Sequence, residues 1–157
     1  MIEPPTLRID VATREDIEGI LLVERHCFGA AWTREQYLND IVCCEASVGA
    51  VVRVGDEVVG FGSITCVNEQ GYIPTLGVLA TYRRTGLGSQ LLQYLLAAAS
   101  ERGVEHVALE VRVHNVAARR LYEHHGFTSI GTRREYYQDP PDDAVVMRWT
   151  REGTATG

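Results

Sequence analysis

Apolar and polar residues alternate from Leu7 to Val11 with the two-residue period of a half-buried strand, and the period then lengthens. Thr13 and Asp16 have capping-box spacing, and Ile17, Ile20, Leu21 and Phe28 fall on one face of a helix that starts there. A second such pair, Thr33 and Gln36, predicts a shorter helix reaching about Cys43, which leaves residues 27–32, CFGAAW, as a connecting loop. Residues 48–54 and 58–67 are rich in β-branched side chains and flank Gly55-Asp56, a pair suited to a tight hairpin. Residues 68–71 read as a further turn before a strand over 72–79. From Gly86 to about Arg102 the period is helical, with Leu87, Leu91, Leu95 and Ala98 repeating at threes and fours and Gly103 as the stop. A buried strand over 106–113, a helix capped by Asn115 and stopped by Gly126, apolar residues 127–130 and a last strand over 144–149 complete the chain. The order is βααβββαβαββ, an α+β domain whose mostly antiparallel twisted sheet is flanked by helices.

The 157 residues suit one compact domain with a single core, ordered over about 6–150, and no repeat or linker divides them. With 45% hydrophobic and 23% charged residues the chain should fold unaided. No apolar run is long enough to span a bilayer and the first residues lack signal-peptide character, so a cytosolic location without membrane attachment is expected. The net charge of -6 disfavours broad nucleic-acid binding despite Arg83, Arg84, Arg112, Arg119 and Arg120, and tolerates a cationic partner better. Cys27, Cys43, Cys44 and Cys66 form no CxxC pair and read as reduced structural thiols. The five histidines lack the spacing of metal ligands, so the expectation is a metal-free protein.

Between a strand and the long helix lies Tyr82-Arg-Arg-Thr-Gly-Leu-Gly-Ser89. Gly86 and Gly88 clear side chains from the first helical turn, where unpaired N–H groups and the helix dipole favour an anion, and Arg83 and Arg84 add positive charge. It is neither a P-loop, since no Gly-Lys-Ser/Thr follows, nor a GxGxxG turn. A glycine-containing helix start with two solvated arginines is the plain alternative.

The turn resembles the pyrophosphate-binding motif Q/R-x-x-G-x-G/A of the GNAT superfamily, matched by Arg83, Gly86 and Gly88, with the resemblance running from about Leu7 to Trp149. It implies acetyl-CoA as cosubstrate, its pyrophosphate on the backbone amides of Arg84, Thr85, Gly86, Leu87, Gly88 and Ser89. The pantetheine arm would pair with Leu76, Gly77 and Val78 like an added strand.

Amine attack on a thioester needs a base, an oxyanion donor and a proton for the departing thiolate. Glu110 is a carboxylate in an otherwise apolar strand, the setting of a usable base; an outward-facing glutamate paired with Arg112 or another surface cation is the alternative. The segment from Asn115 through Tyr122 to Phe127 resembles the GNAT signature N-x-x-A-x-x-x-Y-x-x-x-G-F, which implies Tyr122 as general acid and Asn115 as a coenzyme contact; Tyr122 as a plain core tyrosine is the alternative. The resemblance assigns the oxyanion donor to the Val78 N–H. Leu-Glu110-Val-Arg, Tyr136-Tyr137 and Asp143-Ala144 resemble the ribosomal-protein-alanine (RimI) group and archaeal N-terminal acetyltransferases, in which such tyrosines cover the peptide entrance. The stretch from Tyr72 to Arg84 resembles the catalytic subunit of the eukaryotic NatE complex, where a tyrosine matching Tyr72 assists deprotonation, but that pattern has a histidine at Glu110 and no match for Pro74, so Glu110 ranks first as base and Tyr72 second. Phe28, Ala31 and Trp32 would form one wall of the peptide pocket, or end one helix and staple the next.

The resemblance thus implies acetyl transfer to a protein or peptide N-terminal amine, a ribosomal protein among the substrates. A GNAT enzyme for small amines or lysine is the runner-up, and a non-catalytic acetyl-CoA-binding module the alternative from another class.

Overall fold

A computed structural model describes residues 6–29, 32–83 and 85–154. Its elements follow the expected order: β1 (Leu7–Val11), α1 (Ile17–Phe28), α2 (Arg34–Tyr37), β2 (Ser47–Val54), β3 (Glu57–Val67), β4 (Gln70–Val78), α3 (Leu87–Glu101), β5 (His106–Arg112), α4 (Val116–His124), β6 (Thr128–Gln138) and β7 (Pro141–Thr150). Both capping boxes form, and α2 continues as a π-helical turn over Leu38–Val42, close to the end expected. One seven-stranded sheet runs β1-β2-β3-β4-β5-β7-β6, antiparallel except where β4 meets β5.

The alternation along β2 splits the core between two faces. Ala50 and Val52 join Leu91, Leu92 and Leu95 of α3 with Tyr122 and Phe127, while Val51 joins Ile17, Ile20 and Tyr37 beneath α1 and α2. Three expectations are corrected. The turn after β3 is shorter than residues 68–71, because Asn68 adopts a positive φ of 55° and β4 already begins at Gln70. Ala99, not Ala98, completes the buried stripe of α3. The strand expected at the apolar residues 127–130 is longer, β6 running from Thr128 to Gln138 as an edge strand exposed along almost its whole length, Ile130 included.

What positions the site is a failure of pairing. Gln70, Gly71 and Tyr72 pair with His106, Val107 and Ala108, but β4 continues to Val78 and β5 to Arg112 without further contact in the ladder. At the parting, Ile73 and Pro74 of β4 stand opposite the single Ile64 of β3. A bulge bends its strand, and proline has no N–H to offer a ladder, so the two together turn β4 away from β5 and open the sheet into a wedge.

Candidate active site

Two cavities occupy the wedge, one of about 650 Å³ and the other of about 690 Å³. Cys27, Phe28, Leu76, Asn115, Ala118 and Tyr122 line both, so the cavities meet there. Leu79 donates to the Val59 carbonyl at 2.8 Å, which fixes the antiparallel alternation at the end of β4. By that alternation the N–H and C=O groups of Leu76 and Val78 face away from β3 and into the opening; the Val78 carbonyl there accepts from Arg83 Nε at 3.0 Å and from the Cys27 thiol at 3.4 Å. β4 therefore offers a one-sided strand edge to a ligand that carries amides.

The second cavity extends to the start of α3, with Arg83, Gly86, Gly88 and Ser89 in its wall. Gly86 caps the helix in the left-handed region at φ 84°, and no side chain caps the amides behind it; the first return bond runs from Gln90 to Gly86. The amides of Leu87, Gly88 and Ser89 are thus the orphan donors of a helix start, turned to a cavity. A Cβ at Gly88 would stand 3.5 Å from Leu121, so the glycine keeps this part of the wall flat. Leu87 contributes backbone alone, its side chain being buried, and Thr85 lies outside the wall, its hydroxyl donating to the Tyr82 carbonyl. Ser89 Oγ is held 2.5 Å from His125 Nε2 at the end of α4, a partner the sequence pattern did not suggest. Arg84 lies outside the described residues. These groups fit coenzyme A: free amides and an arginine for its pyrophosphate, an unpaired strand edge for its pantetheine.

At the acceptor end, Tyr72 Oη donates to Glu110 Oε2 at 2.5 Å, bringing together the two candidate bases. β5 buries Val107, Leu109 and Val111 on one face, which turns Glu110 to the other, where its side chain is 10% exposed and lines the first cavity. Of the partners in the alternative reading, Arg112 is engaged elsewhere, donating to the Pro140 carbonyl at 2.7 Å and lying over the Tyr137 ring, whereas another surface cation, Arg133, does approach Glu110, at 3.5 Å. Burial, then the hydrogen bond and charge of Glu110, hold the Tyr72 phenol well above its usual range. Tyr72 itself is not part of the cavity wall and bears on it through Glu110.

Tyr122 is 7% exposed, packs against Phe127 and still borders both cavities, so its core role and its place in the site coexist. Burial raises its phenol far above the ordinary value, so the group is protonated near neutral pH. Asn115 caps α4 by accepting from the Ala118 N–H at 3.1 Å and lines both cavities. Phe28 and Trp32 wall the acceptor side, while Ala31 lies outside the described residues. Of the tandem tyrosines, Tyr137 lines the cavity, its phenol pushed up to about 12 chiefly by burial; Tyr136 does not, and stacks edge-on against Tyr137. A wide bulge places them: Arg133 pairs with Ala144 and Tyr137 with Asp142, so residues 134–136 bow out opposite Asp143, whose carboxylate accepts from the Glu135 N–H at 2.8 Å.

Sequence reasoning missed Glu24, Tyr37 and Thr75. All three line the acceptor cavity, and Thr75 Oγ1 donates to Glu24 Oε1 at 2.5 Å. The signal was available: residue 24 lies at the right interval from Ile17, Ile20 and Leu21 to share the buried stripe of α1. Cys27 was read as structural, yet it borders both cavities.

A sheet parted at one parallel pair, with an uncapped glycine turn at one end of the wedge and an acid and a tyrosine along it, defines a class. The chain belongs to the acetyltransferase (GNAT) family, whose model matches residues 17–127. It is an acetyl-CoA-dependent N-acetyltransferase. The [ribosomal protein bS18]-alanine N-acetyltransferase of Escherichia coli K12 is 37% identical over 134 residues, covering 84% of this chain and 89% of that one. The crystal structure of the ribosomal-protein-S18-alanine N-acetyltransferase from Escherichia coli superposes with a TM-score of 0.84 at 25% identity, over 96% of this chain and 100% of that one. Arabidopsis thaliana Naa50, solved with the bisubstrate analogue CoA-Ac-MVNAL, gives a TM-score of 0.80 at 25% identity over 92% and 99% of the two chains.

Proposed function

We propose that this protein transfers the acetyl group of acetyl-CoA to the α-amino group at the N-terminus of a cytoplasmic protein, a ribosomal protein in the first instance. The observation that carries the reading is the hydrogen-bonded Tyr72–Glu110 pair at the acceptor cavity, which joins the coenzyme cavity beside Tyr122. The amine nitrogen attacks the thioester carbonyl, forming the C–N bond as the C–S bond breaks. Glu110 takes the amine proton, directly or through one water, and Tyr72 orients the carboxylate while keeping its own proton, as its raised phenol requires. The Val78 N–H donates to the acetyl oxygen as charge develops on it. Tyr122 gives its proton to the departing thiolate and recovers one from solvent or product. Phe28, Trp32 and Tyr137 close around the first residues of the peptide.

An α-amine suits this machinery, because its pKa of about 7.7–8.0 leaves a sizeable neutral fraction near pH 7, against about 10.4 for lysine. The test is release of coenzyme A with short peptides differing at their first two residues, beside N-blocked lysine peptides and polyamines. Turnover confined to free peptide N-termini is expected. Turnover on lysine or polyamine instead moves the substrate to a side-chain or small amine, and tight binding of acetyl-CoA without any turnover marks a non-catalytic module.

A further inference from the structure

Glu24 is a carboxylate on the buried stripe of α1, 6% exposed, and it borders the acceptor cavity. Thr75 donates to one of its oxygens and the Tyr37 phenol lies beside it, but among the described residues no arginine or histidine pairs with it. Its other neighbours in the wall include Cys27, Phe28 and Trp32, none of which brings a charge. Burying a carboxylate without a cation is costly, and two hydroxyl donors offset only part of that cost. Burial accordingly raises the Glu24 carboxyl above its ordinary value against the opposing pull of Thr75 and Tyr37. A helix that needed only an apolar anchor at this position would be better served by leucine.

The missing cation is what the proposed reaction delivers. At pH 7 most of a free N-terminus is ammonium, since its pKa is about 7.7–8.0. We propose that Glu24 is a recognition residue for the protonated acceptor: its carboxylate receives the incoming α-ammonium by charge-assisted hydrogen bonding, before the proton is passed to Glu110. This rests on the N-terminal amine reading above. It divides Glu24 and Glu110 by role, Glu24 on α1 holding the charged amine and Glu110 on β5 accepting its proton. No bond other than hydrogen bonds forms at Glu24; the ammonium leaves it as a neutral amine once one proton has gone to Glu110, which releases that proton to solvent before taking the second as the amine attacks.

Glu24→Gln keeps the shape and the acceptor for Thr75 while removing the charge. For a peptide that the wild type acetylates, KM at pH 7 is expected to rise about tenfold to a hundredfold, the range of one charged hydrogen bond, with kcat at saturating peptide falling by less. The pH profile separates this role from a structural one. Wild-type KM, counted in total peptide, should climb as pH passes that of the α-amine and the ammonium disappears, so the ratio of variant to wild-type KM shrinks toward pH 9. The dissociation constant of coenzyme A should stay the same. An unchanged peptide KM, or a KM ratio equal at pH 7 and pH 9, overturns the proposal, as does a loss confined to kcat. Thr75→Val serves as the second variant: if it reproduces the Glu24→Gln effect in full, pH dependence excepted, the carboxylate acts only as a tie between α1 and β4. Should the wild type accept only lysine or small amines, the N-terminal reading fails by itself, and the same KM comparison on that amine still decides the role of Glu24.

Discussion

Glu110 and Tyr72 illustrate how far single residues can be assigned before their neighbours are known. Their ranking as base and assistant came from residue type and motif, but their 2.5 Å hydrogen bond, which makes one the orienter of the other, joins residues 38 apart in the chain and is invisible to any local pattern. Glu110→Gln is expected to lower kcat about 10²- to 10⁴-fold, the usual worth of a general base, without altering coenzyme affinity by calorimetry. Tyr72→Phe removes one charged hydrogen bond of about 1.5 kcal/mol and should lower kcat about tenfold; a loss as large as that of Glu110→Gln would make Tyr72 the base. Glu24 was illegible for the opposite reason. Its position on the apolar stripe was plain, but a lone glutamate there reads as a helix-surface residue until its burial is seen. That burial predicts a pH effect of definite sign. Because the folded carboxyl titrates above its unfolded value, its contribution to stability is complete below the unfolded value and is lost as pH rises through the folded one. Glu24→Gln should therefore match the wild type in thermal midpoint near pH 4 and exceed it at pH 7; a variant less stable at pH 7 would mean that the charged form is a net tie in the free protein.

Elements were more legible than residues, because capping pairs and periodicity are local. Thr33 with Gln36 gave the start of α2, and Gly103 and Gly126 gave the ends of α3 and α4. Bulges were not: neither the Ile73-Pro74 bulge that opens the wedge nor the bowing of residues 134–136 that sets Tyr136 and Tyr137 has a repeat or spacing to betray it, though Pro74 in an otherwise strand-like run was a warning. The start of α3 was legible in geometry, and it supports a discriminating substitution. At Gly86 an added Cβ meets nothing within 4 Å, so only the positive φ penalises a side chain. Gly86→Ala should cost about 1–2 kcal/mol of stability or else distort the turn, raising the coenzyme A dissociation constant; Gly86→Asn, which tolerates that region, should do much less harm on both counts. Equal damage from the two, measured by thermal melts and calorimetry, would mean that the side-chain volume blocks the ligand.

At the scale of the molecule the order of elements followed from the sequence, but the order of strands in space did not, since which strands become neighbours is decided by contacts far apart in the chain. That spatial order matters for stability as well as catalysis. One side of the sheet, β1 to β4, joins the other, β5 to β7, through only three register pairs, and the rest of their boundary is the wedge. A ligand that fills the wedge and pairs with β4 supplies contacts the fold leaves unmade. Coenzyme A at a hundred times its dissociation constant should then stabilise the folded state by about 2.7 kcal/mol, and for a chain of this size the thermal midpoint should rise about 5–11 °C. The place of the effect is as diagnostic as its size. If the pantetheine lies along β4, the amides of Leu76 and Val78, which have no strand partner on that side, should gain protection from hydrogen exchange on binding, together with Leu87, Gly88 and Ser89 at the start of α3. Protection at α3 without protection at Leu76 and Val78 would keep the proposed pyrophosphate turn but remove the added-strand geometry, and with it the proposed placing of the thioester between Tyr122 and Glu110.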